Sequence, residues 1–262
     1  MKLSFVILSY KNLNHLRLCI TNIKKLQLPF SYEIIAVDNA SEDGSREMVL
    51  ELFPEVKLIV NQKNIGHPAG NNIGFRQAQG EYIAMINPDI IFRSKKDILN
   101  ILEYLTQHQD VALVGPRVYN PDGSIQHSCY RKYSLLTPVF RRTFLGQLPF
   151  GKRNVSQHLM TDFAHDQTRE VDWLLGACLF IRKKAIEQIG LMNEKLFLYF
   201  GDYEWCDRAW KKDWKVVYYH NTSHIFHYHK RESAKEKSSI KQLFSYVTRI
   251  HIKDWLLYLK MK

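Results

Sequence analysis

Three groups of residues in this 262-residue chain could do chemistry. The first is Glu81-Tyr-Ile-Ala-Met-Ile-Asn-Pro-Asp89. Five apolar residues, Tyr82 to Ile86, are too few for a helix and suit a strand buried on both faces. Pro88 cannot donate to a sheet ladder and drives Asn87 into extended backbone, so the strand must end there. Asn87 and Asp89 then share the carboxyl edge of a sheet, where open α/β folds bind ligands. A carboxylate beside a neutral oxygen donor suits a hard divalent cation that also holds a diphosphate. The second group is Asp38, at the end of another apolar run, with the asparagine- and glycine-rich stretch Asn61 to Gly74. That stretch lacks Gly-x-Gly-x-x-Gly and Gly-Lys-Ser/Thr, so neither dinucleotide nor P-loop fingerprints are met. Its backbone and side-chain amides could still cradle a nucleotide or a diphosphate. The third is Asp202 with Glu204, opening a helix after Leu196–Phe200, and His227 further on.

The elements that must carry these groups alternate. Strands are expected at Leu3–Tyr10, Glu33–Asp38, Val56–Val60 and Tyr82–Ile86. Helices fall between them, the first capped by Asn12 or Asn14 and striped by Leu13, Leu16, Ile20 and Ile23. Such alternation predicts an α/β fold with a mostly parallel, helix-flanked sheet. Right-handed crossovers bring Tyr10, Asp38, Asn61 and Asp89 to one edge. A helix at about 96–107 and a strand at Val111–Val114 close this half. Residues 115–170, punctuated by four prolines, read as largely loop, and Trp173–Ile181 as one strand with an internal glycine.

Composition narrows the class. Hydrophobic content of 45% with 24% charge is that of a globular protein. The four cysteines, Cys19, Cys129, Cys178 and Cys206, have no zinc or redox spacing and read as packed, reduced thiols of a cytoplasmic protein. The opening apolar run is too short for a signal peptide, and no run reaches the length of a spanning helix. The net charge of +11 is concentrated. Residues 123–161 hold six basic and no acidic side chains, and residues 229–262 nine basic and three acidic. Ile240, Leu243, Phe244, Val247 and Ile250, interleaved with Lys241, Arg249 and Lys253 and followed by Trp255–Leu259, form a basic amphipathic segment suited to an anionic membrane or to packing on a partner.

In order, the motifs resemble family 2 glycosyltransferases of the GT-A fold, and among them the rhamnosyltransferase-like members. The resemblance runs from about Leu3 to Ser233. It rests on Val37-Asp38-Asn39-Ala-Ser41-x-Asp43-Gly44 and Asn64-x-Gly66-x-x-x-Gly70-Asn71-Asn72-x-Gly74. Asn87-Pro88-Asp89 stands where the family has its Asp-x-Asp-like metal motif. Gly115-Pro116-Arg117, Asp122–Gln126, Trp173-x-x-Gly176-Ala177-Cys178 and Tyr199-Phe200-x-Asp202 complete the set. Two positions depart from the pattern: Gly201 replaces an acid before Asp202, and Asn87 replaces the first metal-motif acid.

The resemblance implies residues 1–115 as the nucleotide-sugar half, 116–233 as the acceptor-binding and catalytic half of the same domain, and 234–262 as the basic tail. It implies inverting transfer from a nucleoside diphosphate sugar, first dTDP-rhamnose and second a UDP-sugar, to a hydroxyl of a growing surface glycan or lipid-linked acceptor. Ser9, Tyr10, Asp38, Asn39, Asn64, Gly66, Asn71, Asn72 and Asn87 would bind the donor. Asp89, Asn87 and His227 would hold Mg²⁺ or Mn²⁺. Asp202 would be the general base, with Trp173, Gly176, Ala177 and Glu204 at the acceptor. The location implied is cytoplasmic, peripheral at the inner face of the plasma membrane, with oligomers possible and no nucleic-acid partner. The rival from another class is a non-catalytic basic nucleic-acid- or membrane-binding protein, weakened because the charge avoids the motif-bearing half. A sugar-nucleotide pyrophosphorylase lacks support, since its glycine-rich basic opening loop is missing.

Overall fold

The computed structural model describes residues 1–228 and 246–261. Strands β1 (Leu3–Ser9), β2 (Tyr32–Asp38), β3 (Lys57–Val60) and β4 (Tyr82–Ile86) alternate with helices α1 (Leu13–Lys25), α2 (Ser45–Leu52) and α3 (His67–Gln77). After β4 come a short β5 (Ile90–Phe92), α4 (Lys95–Gln107) and β6 (Val111–Pro116). The second half carries β7 (Cys129–Tyr130), α5 (Thr137–Arg142), a 3₁₀ turn (Phe144–Gln147), α6 (Pro149–Leu159), β8 (Arg169–Glu170) and β9 (Trp173–Leu174). It ends with β10 (Cys178–Arg182), α7 (Lys183–Ile189), α8 (Gly201–Trp210), β11 (Lys215–Tyr219), β12 (Ile225–His227) and α9 (Tyr246–Leu259).

Eight strands form one sheet in the order β3-β2-β1-β4-β10-β6-β11-β8. The β1–β2, β1–β4, β2–β3 and β6–β11 pairs are parallel, while β10 runs against β4 and β6, and β8 against β11. Six strands therefore point one way and two oppose them. Because β10 of the second half lies between β4 and β6 of the first, the two halves share one sheet. All five residues of β4 are buried, as a central strand covered on both faces requires. Alternate β1 side chains divide between the covers. Leu3, Phe5 and Ile7 pack under α1, α2 and α4, and Val6 packs with Phe75, Trp205 and Tyr258 on the opposite face. Burying each such side chain stabilises the fold by about 1.5–3 kcal/mol.

Three expectations change. The stretch 115–170 is not mostly loop: α5, the 3₁₀ turn and α6 form a helical arm, whose short pieces and prolines hid the helical period. Trp173–Ile181 is not one strand. It breaks at 175–177, where Leu175 N–H donates to Ser128 O and Ala177 O accepts from Asn87 N–H, so the backbone leaves the ladder to serve the site. Asn12 stands at the N-cap of α1, as expected, but its side chain makes no capping bond: Leu13 N–H donates to Asp43 Oδ2 at 3.0 Å, from the loop after β2. All four cysteines are unpaired and buried. Among the described residues no helix is long and apolar enough to cross a membrane.

Candidate active site

Parallel pairing sets the sheet edge. Ser9 is level with Asp38, and Asp38 with Val60, so the loops after β1, β2 and β3 leave side by side. Asp43 ties two of them, accepting from Leu13 N–H and from Ser45 N–H and Oγ–H. Burial pushes the Asp43 carboxyl up, but these bonds outweigh it and leave its pKa below the ordinary value. Ser41 N–H donates to both Asp38 carboxylate oxygens at 3.2 Å, and Lys11 N–H donates to Ser41 Oγ. Beside them opens a cavity of about 380 Å³ lined by Asp38, Ser41, Glu42, Arg46, Asn61 and Gln62, with a charged rim that suits a nucleoside. Tyr10 stands exposed at the end of β1, and the buried Ser9 Oγ has no hydrogen-bond partner.

The asparagines predicted to bind a donor divide by what their amides already do. Asn39 is spent inside the protein: its Nδ2 donates to Asn64 Oδ1 and Gly66 O, and its Oδ1 accepts from Asn61 Nδ2 and Ile65 N. Asn72 likewise joins α3 to Met192 and Glu194. Asn64 accepts from Gly66 N–H as well. Asn39 and Asn64 shape the loop, Asn72 anchors α3, and the side chains of all three are engaged with protein. Asn71 differs. Its Nδ2 bonds His67, but its buried Oδ1 has no partner. Gly66 has φ of +90°, and a Cβ there would sit 2.4 Å from Phe197 O, so only glycine lets this loop pass the 197 segment.

A second cavity, of about 340 Å³, lies between the end of β4 and the head of α8. His67, Asn87 and His227 line it on one side, and Asp202 with Gly176 and Ala177 on another. Aromatic rings wall it: Tyr130 stacks on Trp173 with centroids 4.2 Å apart, and Tyr133 packs against Phe200 at 5.1 Å. Since Asn61 and Gln62 line the first cavity and His67 the second, the 61–67 loop has one end in each. Burial lowers the His67 pKa to about 4 despite a hydrogen bond with Asn87, so the ring is neutral near pH 7.

Asp202 is held by the chain on both oxygens. Gly176 N–H donates to Oδ2 at 3.0 Å and Tyr203 N–H to Oδ1 at 2.9 Å. Burial nonetheless raises its carboxyl above the ordinary range. The loss of the neighbouring acid to Gly201 suggests the opposite direction, towards a lower working pH; desolvation outweighs that effect here. Glu204, expected beside the acceptor, is turned away. It forms a fork with Arg208, at 3.0 and 2.8 Å, and Arg208 also donates to Ile189 O and Leu191 O. Glu204 thus braces α8.

Asp89 is mostly buried, and its Oδ1 lacks an aligned hydrogen bond although His227 Nε2 is 3.2 Å away. The other His227 nitrogen, Nδ1, lies 2.9 Å from Gln126 Oε1, an acceptor, which makes Nδ1 the donor and turns Nε2 towards Asp89. Burial alone would raise the Asp89 carboxyl; the contact with His227 outweighs it and leaves the pKa low. No three His, Cys, Asp or Glu side chains converge on a metal position among the described residues. A buried carboxylate oxygen 3.2 Å from an oriented imidazole nevertheless fits a Mg²⁺-type cation, which takes few protein ligands and completes its shell with phosphate oxygens and water.

Sequence reading overlooked several of these residues. Gln126 belongs to a motif quoted above, yet nothing in its type marked it as the orienter of His227. His251, on α9, lines the acid-bearing cavity with Arg141. Asp254, fully buried on the same helix, accepts from Phe197, Leu198 and Tyr199 N–H at 3.1, 2.9 and 2.9 Å. A lone acid among the apolar and basic residues of α9 is the available signal.

A mostly parallel sheet with two cavities along its carboxyl edge is the architecture of the GT-A glycosyltransferases. The chain matches the model of glycosyl transferase family 2 over residues 4–189, and it belongs to that family. It is 26% identical over 218 residues to the N-acetylglucosaminyl-diphospho-decaprenol L-rhamnosyltransferase of Mycobacterium tuberculosis, covering 79% of this chain and 69% of that protein. It is 28% identical over 214 residues to the low-salt glycan biosynthesis hexosyltransferase Agl10 of Haloferax volcanii, covering 79% of this chain but only 61% of the relative. Two solved structures share its fold. TarS 1-349 of S. aureus in complex with UDP-GlcNAc aligns with a TM-score of 0.60 at 13% identity, over 96% of this chain and 66% of that one. GalNAc-T7 with UDP, GalNAc and Mn²⁺ aligns at 0.64 and 14% identity, over 91% of this chain and 46% of that one.

Proposed function

We propose that the chain transfers a sugar, with inversion, from a nucleoside diphosphate sugar to a hydroxyl of a lipid-linked or growing surface glycan. The observation that carries this reading is the shared cavity: Asp202 lines it together with Asn87 and His227, the latter 3.2 Å from Asp89. In this reading the nucleoside sits by Asp38, with Ser9 and Tyr10 beside it and the 61–67 loop, shaped by Asn39, Asn64 and Gly66, along the diphosphate. Asn71 offers its unpaired oxygen at the head of α3, and Asn72 fixes that helix. Asp89 and His227, with Asn87, would hold a divalent cation, which when bound neutralises charge on the departing diphosphate. Asp202 takes the acceptor's proton at a carboxylate oxygen as the hydroxyl attacks. The two backbone N–H bonds fix that carboxylate without supplying it a proton. Trp173, Gly176 and Ala177 form the acceptor's floor.

The donor proposed first is dTDP-rhamnose, with UDP-sugars second, supported by the rhamnosyltransferase relative and by the motifs from Gly115 to Gln126. Thermal stabilisation by each nucleotide sugar with Mn²⁺, followed by assignment of the product anomer, tests it. Stabilisation by one nucleotide and an inverted anomer are expected. No stabilisation by any nucleotide sugar overturns the donor reading, and retained configuration overturns the mechanism. Peripheral contact with an anionic membrane through the C-terminal segment belongs to the same proposal. Ile240, Leu243 and Phe244 lie outside the described residues. In α9 the inward face carries Ile250, His251, Asp254 and Tyr258, and Ile252 and Leu256 face out among Arg249, Lys253 and Lys260.

A further inference from the structure

The arm of α5, the 3₁₀ turn and α6 is not accounted for by donor binding or proton transfer. Its interior is closely packed. A Cβ on Gly146 would lie 2.0 Å from Phe140 O, and one on Gly151 2.1 Å from Leu145 O. Thr137 Oγ1 donates to Asn154 Oδ1 at 2.7 Å, joining α5 to α6. Yet the same arm turns Leu135, Leu136, Phe144, Leu148 and Phe150 out to solvent, Phe144 at 73% exposure and Leu135 at 68%. A well-packed element that exposes five large apolar side chains has a surface to cover.

Charge identifies the cover. Residues 134–153 hold four basic side chains and no acid, and neither Lys152 nor Arg153 has an ion-pair partner among the described residues. Apolar and aromatic side chains interleaved with unpaired cations match an anionic bilayer, whose interface takes up the rings while its headgroups meet the cations. Arg141, on the same arm, donates to Tyr133 Oη at 3.2 Å and lines the cavity of Asp202. The arm therefore joins the acid-bearing cavity to the exposed apolar edge. We infer that residues 134–153 form a docking surface for anionic phospholipid bilayers, set against the acceptor cavity. The inference extends the proposed function from α9 to a second surface, and its test needs no transfer activity.

The experiment is co-sedimentation of the full chain with vesicles of phosphatidylcholine alone or with about a third phosphatidylglycerol. The unmodified protein should sediment with the anionic vesicles and stay in solution with the neutral ones. Phe144→Ser/Phe150→Ser, and separately Lys152→Gln/Arg153→Gln, should weaken sedimentation, the basic pair by about 25-fold at roughly five-fold per charge. Both variants should keep the parent's thermal stabilisation by nucleotide sugar, which reports the fold and the donor site independently. Retained vesicle binding in both variants overturns the inference. So does loss only in Ile252→Ser/Leu256→Ser of α9, or dissociation of a dimer by Phe144→Ser/Phe150→Ser without any effect on vesicles.

Discussion

His227 Nε2 lies 3.2 Å from Asp89 Oδ1, and Gln126 holds the opposite ring nitrogen at 2.9 Å. Three separate stretches of chain thus fix one carboxylate–imidazole pair at the end of β4. The backbone completes it: Tyr228 N–H donates to Asp89 O at 2.9 Å, and β12 pairs with β5 so that His227 faces Ile90.

Because Gln126 orients the ring, Gln126→Ala should weaken metal-dependent nucleotide binding about 10–100-fold while His227 remains. Asp89→Ala should lose the metal dependence outright. Titrating Mn²⁺ against nucleotide-sugar binding in both variants distinguishes them. Unchanged metal affinity in Asp89→Ala would remove Asp89 from the metal site.

Asp254 is the second long-range fixture. Its carboxylate serves three backbone N–H groups in the loop leading to Phe200 and Asp202, and Tyr258 stacks on Phe200 with centroids 6.0 Å apart. Asp254→Ala leaves three part-buried backbone donors unpaired and should cost about 1–3 kcal/mol of stability. Asp254→Asn should cost less and, if Asp202 is the base, still lower kcat more than KM, since the loop positions Asp202. Denaturant unfolding and steady-state kinetics measure the two effects.

Gly66→Ala tests the backbone. A left-handed φ of +90° and a Cβ 2.4 Å from Phe197 O leave no room for the methyl group without moving the 197 segment. A loss of at least about 2 kcal/mol is expected in denaturant midpoints. A neutral result would mean that the loop is free to move away from Phe197.

Much of this is legible in the sequence. Periodicity gave the alternating half because a buried parallel strand such as Tyr82–Ile86 is a pure apolar run that Pro88 ends abruptly. Asp38, Asp89 and Asp202 stood out because acids that terminate apolar segments have few structural reasons to be there. The helical arm did not stand out, since helices as short as α5 carry less than two periods. The spacing of Glu204 from Asp202 says nothing of Arg208, one turn further on, with which Glu204 pairs. Asn39 and Asn72 look like ligand amides in sequence, and only the fold reveals that their hydrogen bonds go to the chain itself.

Burial raises the Asp202 carboxyl above its ordinary pKa, so the group is protonated, and inactive as a base, over a wider acid range than a free aspartate. The acid limb of the pH–rate profile should therefore fall above the usual aspartate range. Replacing Tyr133, which packs on Phe200 and lines the cavity, with the smaller Ser should admit water and move that limb down. An acid limb at or below the range of a free aspartate would contradict the assignment of burial as the controlling cause.

The most direct measurement compares transfer rates of Asp202→Asn and Glu204→Gln at saturating nucleotide sugar, with donor binding checked in each. If Asp202 is the base, its variant binds donor as the parent does and loses about 10²–10⁴-fold in transfer. Glu204→Gln weakens only the fork with Arg208 and should stay within a few-fold of the parent, with a lower melting temperature. Near-normal transfer by Asp202→Asn, or a greater loss in Glu204→Gln, would contradict the account.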